Sequence, residues 1–411
     1  MYSLKSIKLY FFSILKLFFL NFRNFYFRSS YYNKKLITFI PERIFYKPST
    51  FLSASLTTFG NDFYKINETR PELLWKVDTK DKLKFENLHN FLWLSRLDRK
   101  NSKTFTKNII NSWINIFFNY HPNTWDMEIT ARRIIAWSSN TDITLEDSDK
   151  EYKKKFFISL IKQSNFLSKN IGNLFDEPSK IICCAAIILS GMIFEKNNSN
   201  YKIGIKELEK VIKNYFDELG FPKSRNPEDV FICLKYLILI REWLKEGQKS
   251  IPDFLNDIIG KCGNCYVMLS CGNKQFPLFN GATEINYKDY DIFLKNLKYK
   301  FTNKNHSIAD LVKIKKKKFE FYIDCGNPPP SIYAKYYQAG CLSFELISNK
   351  QKIICNSGYG KYLSPKLTEL SRSTAAHSTL YINDTSSCIF HKNGFTNRIY
   401  GSSLISKHRV I

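Results

Sequence analysis

The spacing of hydrophobic residues along the chain changes near residue 300. Before that point, from about residue 75, apolar positions recur mostly at helical spacing, and turn residues separate the segments. The predicted helices cover residues 84–97, 105–120, 126–137, 152–170, 179–195, 204–219, 227–246 and 251–270. Helix pairs that repeat this often with short connections predict an α-solenoid or α/α toroid.

After residue 303 the pattern is typical of antiparallel strands bounded by Gly, Pro, Asn and Asp. The predicted strand regions are LVKIKKKKFEFYID (311–324), CLSFELI (341–347), KIIC (352–355) and HSTLYIND (377–384). Because helices and strands are segregated along the chain, the expected class is α+β, with a helical domain followed by an antiparallel β region. The chain stops in the strand-like HRVI, so an incomplete sandwich is expected.

The changes in residue pattern divide the chain into three regions: a basic aromatic segment at 1–40, a toroid at 41–302 and a sandwich at 303–411. The first segment begins with Lys and apolar residues, but Lys16 interrupts the apolar run and no small-residue cleavage site follows. An amphipathic helix that packs on the body or lies on a membrane surface fits this pattern. We therefore expect peripheral membrane contact through residues 1–30, with a secretion signal as the alternative.

The balance of charge favours a polyanionic partner. The chain has 62 Lys+Arg and 37 Asp+Glu, a formal net charge of +25. Such a surface attracts nucleic acid, acidic polysaccharide or anionic lipid, although an AT-rich coding bias explains part of the Lys content. No helix-turn-helix, RNA-binding-sheet or zinc-finger pattern is visible, so nucleic acid is not expected.

The ten cysteines predict neither a disulfide framework nor a complete metal site. Several stand in apolar runs such as IICCAAIIL, where Cys behaves as a small buried hydrophobe. Cys262, Cys265 and Cys271 resemble part of a zinc site, but no fourth ligand lies nearby. No cofactor is required by the sequence, and a divalent metal stays an open alternative.

Seven sequence strings carry a resemblance to a known family. They are LHNFLWL (88–94), ARRIIAW (131–137), SRNP (224–227), PLFNGATE (277–284), YIDCGNPPP (322–330), AGCLSFEL (339–346) and SRSTAAHSTLYIND (371–384). In this order they resemble the heparinase II/III family of polysaccharide lyases. The resemblance implies an α/α toroid followed by a β-sandwich, and cleavage of an acidic polysaccharide by β-elimination. It also implies the cell envelope or periplasm, with the cytoplasm as the alternative.

The resemblance also nominates site residues in the β region. His377 lies in the matching AAHSTL motif and Arg372 precedes it, so an imidazole and a guanidinium are expected at the site. Tyr336 and Tyr337 are candidates for proton transfer. The family tends to place His-x-His just before the AGCLSFEL string, whereas this chain has Gln338, which cannot act as a base and is expected to contact substrate through hydrogen bonds.

The remaining candidates lie in the helical region. Arg132, Arg225, Asn226 and Asn280 are predicted to contact substrate, and capping or turn roles stay the alternative for each. Arg133 neighbours Arg132, so at most one of the two is expected to face a cleft while the other pairs with Glu128 or Asp126. Two functions follow: a lyase that acts on a uronate-containing polysaccharide, or a protein of the same fold that binds such a glycan without cleavage.

Overall fold

The computed structural model describes residues 14–15, 18–19, 21–56, 71–75, 81–174, 176–194, 198–285, 287–303, 305–383, 385–392 and 399–404. The rest of the predicted 1–40 segment and the end of the chain, including HRVI, lie outside the described residues. The chain divides into two compact units. We call residues 18–211 and 235–255 the helical unit, and residues 1–17, 212–234 and 256–411 the mixed unit.

The predicted helices are present with small shifts at their ends. The longer ones are Lys82–Asn90, Lys103–Phe117, Met127–Ser139, Lys150–Asn170, Glu177–Ile193, Asn198–Tyr215, Pro227–Glu246, Asp253–Leu269 and Lys288–Asn296. Short helices are Ser30–Lys35, Thr50–Ala54, Pro71–Leu74, Thr141–Thr144 and Pro365–Leu370, and residues 21–28 are also helical. Among the described residues, no helix has the length and apolarity needed to cross a bilayer.

One predicted helix is interrupted. The apolar spacing over 84–97 predicts one segment, whereas the helix ends at Asn90 and a 3-10 helix, Leu92–Arg96, follows. Phe91 separates them in the left-handed conformation, with φ 59°. Its ring is fully buried and lies 5.3 Å from the Trp137 ring, so packing of the aromatic side chain offsets the backbone cost.

The core of the helical unit includes a buried cation. Arg133 is fully buried, and its Nε donates to Gln163 Oε1 at 2.6 Å. Its Nη1 donates to the carbonyls of His89 and Thr124 at 2.9 and 3.0 Å, and its Cζ lies 4.1 Å from the centre of the Trp113 ring. These contacts supply the partners that a buried guanidinium needs. Arg133 is therefore an internal part of the helical unit.

In the mixed unit, strands β1 (Ser307–Ile308), β2 (Leu311–Lys316), β3 (Phe319–Asp324), β4 (Phe344–Ser348) and β5 (Gln351–Ile354) form one antiparallel sheet in chain order. Strands β6 (Cys388–Lys392) and β7 (Ile399–Leu404) form a second, two-stranded sheet. Residues 311–324, predicted as a strand region, thus form a hairpin, and Lys316 pairs with Phe319 at its end. The Lys-rich run at 315–318 includes this hairpin turn.

Tight turns set the register of the other two hairpins. Ile308 pairs with Leu311 across Ala309 and Asp310, which have φ 49° and 59°. Ser348 pairs with Gln351 across a two-residue turn, Asn349 and Lys350, with φ 48° and 67°. Two consecutive residues with positive φ are the requirement of a type I′ turn, whose twist matches that of the flanking strands.

The predicted strand over HSTLYIND is absent from the described residues of that segment, where Ile382 and Thr385 form only an isolated bridge. Its polar groups bond elsewhere: Ser378 N donates to Asn356 Oδ1 at 3.0 Å, and Thr379 Oγ1 donates to the Cys341 carbonyl. The prediction was wrong because this segment bonds to single groups of several other segments, including Phe344 N, which donates to the Ser378 carbonyl at 3.0 Å, and not to one neighbouring strand.

Two glycines of the Asp253–Leu269 helix provide a test of how this helix packs against its neighbours. A Cβ on Gly260 meets nothing within 4 Å, whereas a Cβ on Gly263 would lie 2.1 Å from Phe301 Cδ1. Gly260→Ala should raise the free energy of unfolding by about 0.5–1 kcal/mol, since Ala is the better helix former. Gly263→Ala should lower it by about 1–3 kcal/mol through overpacking. Chemical denaturation of both variants measures the difference, and equal effects would contradict the assigned packing.

Candidate functional site

Three of the motif strings meet at one buried carboxylate in the mixed unit. Asp324 ends β3 and has no exposed surface. Arg225 Nη2 donates to Asp324 Oδ1 at 2.5 Å, and Asn280 Nδ2 donates to Asp324 Oδ2 at 2.9 Å. The SRNP loop and the PLFNGATE loop are thereby joined to the end of a β-strand, although each lies far from it in the sequence.

The guanidinium of Arg225 makes three hydrogen bonds inside the protein. Besides Asp324, it donates from Nη1 to the Asn327 carbonyl at 2.7 Å and from Nη2 to the Ala309 carbonyl at 2.9 Å. A Cβ on Gly326 would lie 2.1 Å from Arg225 Nη2, so this close approach requires glycine. Arg225 and Asn280 hold the fold together in this structure, and their contact with substrate remains a prediction.

Asn226 follows Arg225 and caps the Pro227–Glu246 helix. Its Oδ1 accepts a hydrogen bond from Glu228 N at 2.9 Å, and its side chain is buried. Nearby, Asp229 Oδ2 accepts from the hydroxyls of Tyr215 and Ser224, both at 2.6 Å. The SRNP string therefore supplies a helix N-terminus whose polar groups are satisfied internally.

Gln338 links three segments where the family resemblance led us to expect an imidazole. Its Oε1 accepts from Gly281 N at 3.0 Å, while its Nε2 donates to the carbonyls of Gly358 and Ser371 at 2.8 and 2.6 Å. The side chain is buried. An amide that uses both N–H groups and its carbonyl in this way connects loops, and its predicted contact with substrate remains untested.

Arg372 is also internal. Its Nη1 donates to the Lys335 carbonyl at 2.8 Å, and its Cζ lies 4.3 Å from the centre of the Phe390 ring. Burial lowers the pKa of the guanidinium, although nearby Tyr359 acts in the opposite direction. The side chain therefore supports the segment that leads to His377, and its role in carboxylate recognition stays a prediction.

His377 is the candidate whose chemistry the structure leaves most open. Burial lowers the pKa of its imidazole to about 4, and a hydrogen bond with the Ser371 backbone opposes this shift. Its Nε2 is buried and has no hydrogen-bond partner, and a Cβ on Gly340 would lie 3.4 Å from its Cγ. His377 is consequently neutral at pH 7, and the Ser371 backbone bonds to both His377 and Gln338.

The two candidate tyrosines differ in their surroundings. Tyr337 is buried in a small apolar cluster with Ala334, Ala339 and Cys388, and burial raises the pKa of its hydroxyl. Tyr336 is half-buried, with its ring 5.4 Å from that of Tyr359. Of the pair, Tyr336 is therefore the better placed to meet a ligand.

Arg132 belongs to the helical unit and pairs with an acidic neighbour. Its Nη2 lies 2.5 Å from Glu128 Oε1, one helical turn earlier, and Glu128 Oε2 accepts from Ser179 at 2.7 Å. Arg132 remains partly exposed, whereas Arg133 is buried. Substrate contact by Arg132 stays a prediction.

A second buried ion pair, between Glu345 and Lys352, is not identified as a pair by the sequence pattern. Glu345 has no exposed surface, its Oε2 lies 2.9 Å from Lys352 Nζ, and its Oε1 accepts from Leu278 N at 3.0 Å. Glu345 belongs to the AGCLSFEL string, where an acidic residue between apolar ones is the one sign in the sequence of a buried carboxylate. It joins β4 to β5 and to the PLFNGATE loop.

The cysteines around residue 262 are thiols that donate to backbone. Cys262 Sγ donates to the Gly220 carbonyl at 3.2 Å and Cys265 Sγ to that of Leu219 at 3.4 Å. Burial raises the pKa of both groups. Within the described part of the chain, no group of three His, Cys, Asp or Glu side chains is arranged to hold a metal ion.

Comparison with known proteins finds a family whose model matches part of the mixed unit. Residues 307–408 match the family described as heparinase II/III-like, C-terminal. The C-terminal part of this chain is therefore similar to the C-terminal domain of heparinase II/III-like proteins. The match includes Asp324, Gln338, Arg372 and His377. No curated protein sequence matches the chain.

Solved structures extend the likeness to the helical part. The chain is similar to the crystal structure of heparinase III, with a TM-score of 0.61 and 14% identity over 83% of this chain and 68% of that one. It is also similar to heparan sulfate lyase HepC from Pedobacter heparinus, with a TM-score of 0.55 and 12% identity over 88% of this chain and 67% of that one. The chain thus spans about two thirds of their length, and the predicted fold class is confirmed.

The Arg225–Asp324 pair generates a prediction about stability. Asp324→Asn should lower the free energy of unfolding of the mixed unit by about 3–5 kcal/mol, because it leaves a buried guanidinium without its counter-charge. The matched control is Asp257→Asn, which removes an exposed pair with Lys261 and should cost at most about 1 kcal/mol. All six tryptophans lie in the helical unit, so hydrogen exchange of β3 peptides is the suitable measurement.

The lowered pKa of His377 predicts how stability depends on pH. The unfolded chain binds a proton near the ordinary pKa of 6.5, whereas the folded state does so only near 4. The stabilising contribution is therefore complete above pH 6.5 and is lost as the pH falls towards 4, by about 3 kcal/mol. His377→Gln should remove this part of the pH dependence in denaturation curves. Parallel curves for both proteins would contradict the assignment.

Proposed function

We propose that the protein is a polysaccharide lyase that cleaves an acidic, uronate-containing polysaccharide by β-elimination. The observation that carries the proposal is the match of residues 307–408, which include His377, to the heparinase II/III-like family. The net charge of +25 supports an acidic polymer, since it attracts polyanions. A capsule or envelope polymer is the substrate class we propose, with the cell envelope or periplasm as the compartment.

The chemistry sets what the site must do. A proton leaves the carbon next to the uronate carboxylate, the glycosidic oxygen departs from the neighbouring carbon, and a double bond forms between the two. A base takes the first proton and an acid protonates the departing oxygen. We assign the first role to His377, an imidazole within the residues that match the family, and the second to half-buried Tyr336.

A second candidate function is binding of the same polymer without cleavage. Gln338 is bonded on three sides where an imidazole is expected, and the Nε2 atom of His377 is buried. Arg225, Asn280 and Arg372 are likewise committed to internal contacts. These features favour a protein that keeps the fold and recognises polyanions through other exposed cations.

Incubation of the full-length protein with a panel of uronate polymers tests the proposal, with ultraviolet absorbance reporting the unsaturated product. His377→Ala should reduce the rate by about 100-fold or more, the range expected for loss of a general base. The matched control is His306→Ala, which changes an exposed histidine beside β1 and should leave the rate unchanged.

Binding of the same polymers should be measured in parallel. Product formation that disappears in His377→Ala while binding persists supports the lyase. Binding without product, equal in the wild type and in His377→Ala, would overturn the lyase proposal in favour of the binding protein.

A further inference from the structure

A row of exposed aromatic rings lies along one side of the helical segment near the start of the chain. Phe18, Phe22 and Phe25 are 67%, 64% and 75% exposed, and Phe19 is 65% exposed. Residues 18, 19 and 21–28 are helical. Spacings of four and three residues place Phe18, Phe22 and Phe25 on the same side of a helix, and Phe19 lies within the same arc. We call these four residues the aromatic face.

The opposite side of the helix is anchored to the helical unit. Phe27 follows Phe18 by nine residues, which places it about 180° away at 100° per residue. It is 5% exposed, and its ring centroid lies 4.5 Å from that of Tyr32, 5.0 Å from that of Tyr120 and 5.6 Å from that of Phe166. Because Phe27 is fixed in the core, the aromatic face points away from it.

Hydrogen bonds hold the backbone in the same orientation. Asn33 Nδ2 donates to the Phe27 carbonyl at 2.9 Å, and its Oδ1 accepts from Tyr120 N at 3.1 Å. The Tyr120 hydroxyl donates to Asn24 Oδ1 at 2.9 Å. The segment is therefore attached to the body both by packing and by polar contacts, and its exposed rings form a fixed surface.

Positive charge flanks this surface. At 100° per residue, Arg23 and Arg28 fall on the two opposite borders of the arc that carries the rings. Lys34 and Lys35, in the helix Ser30–Lys35 that follows, are exposed. No acidic residue precedes Glu42 in the chain. Exposed aromatic rings bordered by cations, with no acid among them, are the pattern of a helix that lies in a membrane interface.

We propose that the aromatic face docks on the surface of a bilayer that contains anionic lipid. The rings enter the boundary between headgroups and acyl chains, while the flanking cations contact lipid phosphates. A second copy of the chain fits this face less well, because two surfaces that carry cations and no acidic groups repel each other. The inference is independent of the lyase proposal, since it needs neither His377 nor a polysaccharide.

Co-sedimentation of the full-length protein with vesicles tests the proposal. The vesicles are phosphatidylcholine alone, or phosphatidylcholine mixed with phosphatidylglycerol. The double change Phe22→Ala/Phe25→Ala should weaken binding to the mixed vesicles by about tenfold or more, since it removes two of the inserting rings. The matched control is Phe319→Ala, which removes a ring that is 53% exposed on β3 of the mixed unit and should leave binding unchanged.

A charge reversal distinguishes binding through the aromatic face and its flanking cations from binding through the general positive charge of the protein. Arg28→Glu should weaken binding to the mixed vesicles, whereas Lys316→Glu, which changes an exposed residue of β2, should not. Circular dichroism of each variant confirms that it is folded. Equal vesicle binding by the Phe22/Phe25 variant and the Phe319 variant would overturn the proposal. Self-association of the wild type that the Phe22/Phe25 variant abolishes, without preference for phosphatidylglycerol, would overturn it in favour of a second copy.

Discussion

The ion pair between Arg225 and Asp324 is the interaction on which the arrangement of the mixed unit depends. A carboxylate without any exposed surface is unfavourable unless a cation and hydrogen-bond donors surround it. Arg225, Asn280 and the Gly326 backbone supply them, and each comes from a different loop. The end of β3, the loop before the Pro227–Glu246 helix and the loop after Asp253–Leu269 are therefore held at one point.

This arrangement explains why the sequence strings predict the fold better than the chemistry. Arg, Asn and Gln are the residues that bind acidic sugars, but they are also the residues that satisfy buried carbonyls and carboxylates. The strings around Arg225, Asn280, Gln338 and Arg372, which carry the likeness to the family, contain residues that make internal contacts in this structure. Their likeness thus carries information about structure first, and the reaction has to be argued from His377 and Tyr336.

Local periodicity was enough to predict most of the helices, since their buried faces repeat along the chain; Pro227–Glu246 was predicted with the same ends. It failed where partners come from distant segments. Phe91 breaks a helix because its ring packs on Trp137, and residues 377–383 do not form a strand because their polar groups bond to separate segments that contain Asn356 and Cys341. None of these three partners is visible from spacing. The role of Gln338 was hidden for the same reason, as its three partners are separated from it by up to 57 residues.

The use of charge inside the protein limits how it recognises any polyanion. Arg133, Arg225 and Arg372 are buried and engaged by backbone carbonyls or side-chain oxygens, so they add to the formal charge without being available at the surface. The attraction must come from exposed residues such as Lys316 and Lys317 of the β2–β3 hairpin and Lys34 and Lys35 beside the aromatic face. Such charges attract polymers and anionic lipids over a Debye length without selecting between them. Selectivity between the two proposed partners then rests on shape and on apolar contact: exposed phenyl rings suit a bilayer interface, and half-buried Tyr336, in the same unit as His377, suits the sugar ring of the proposed substrate.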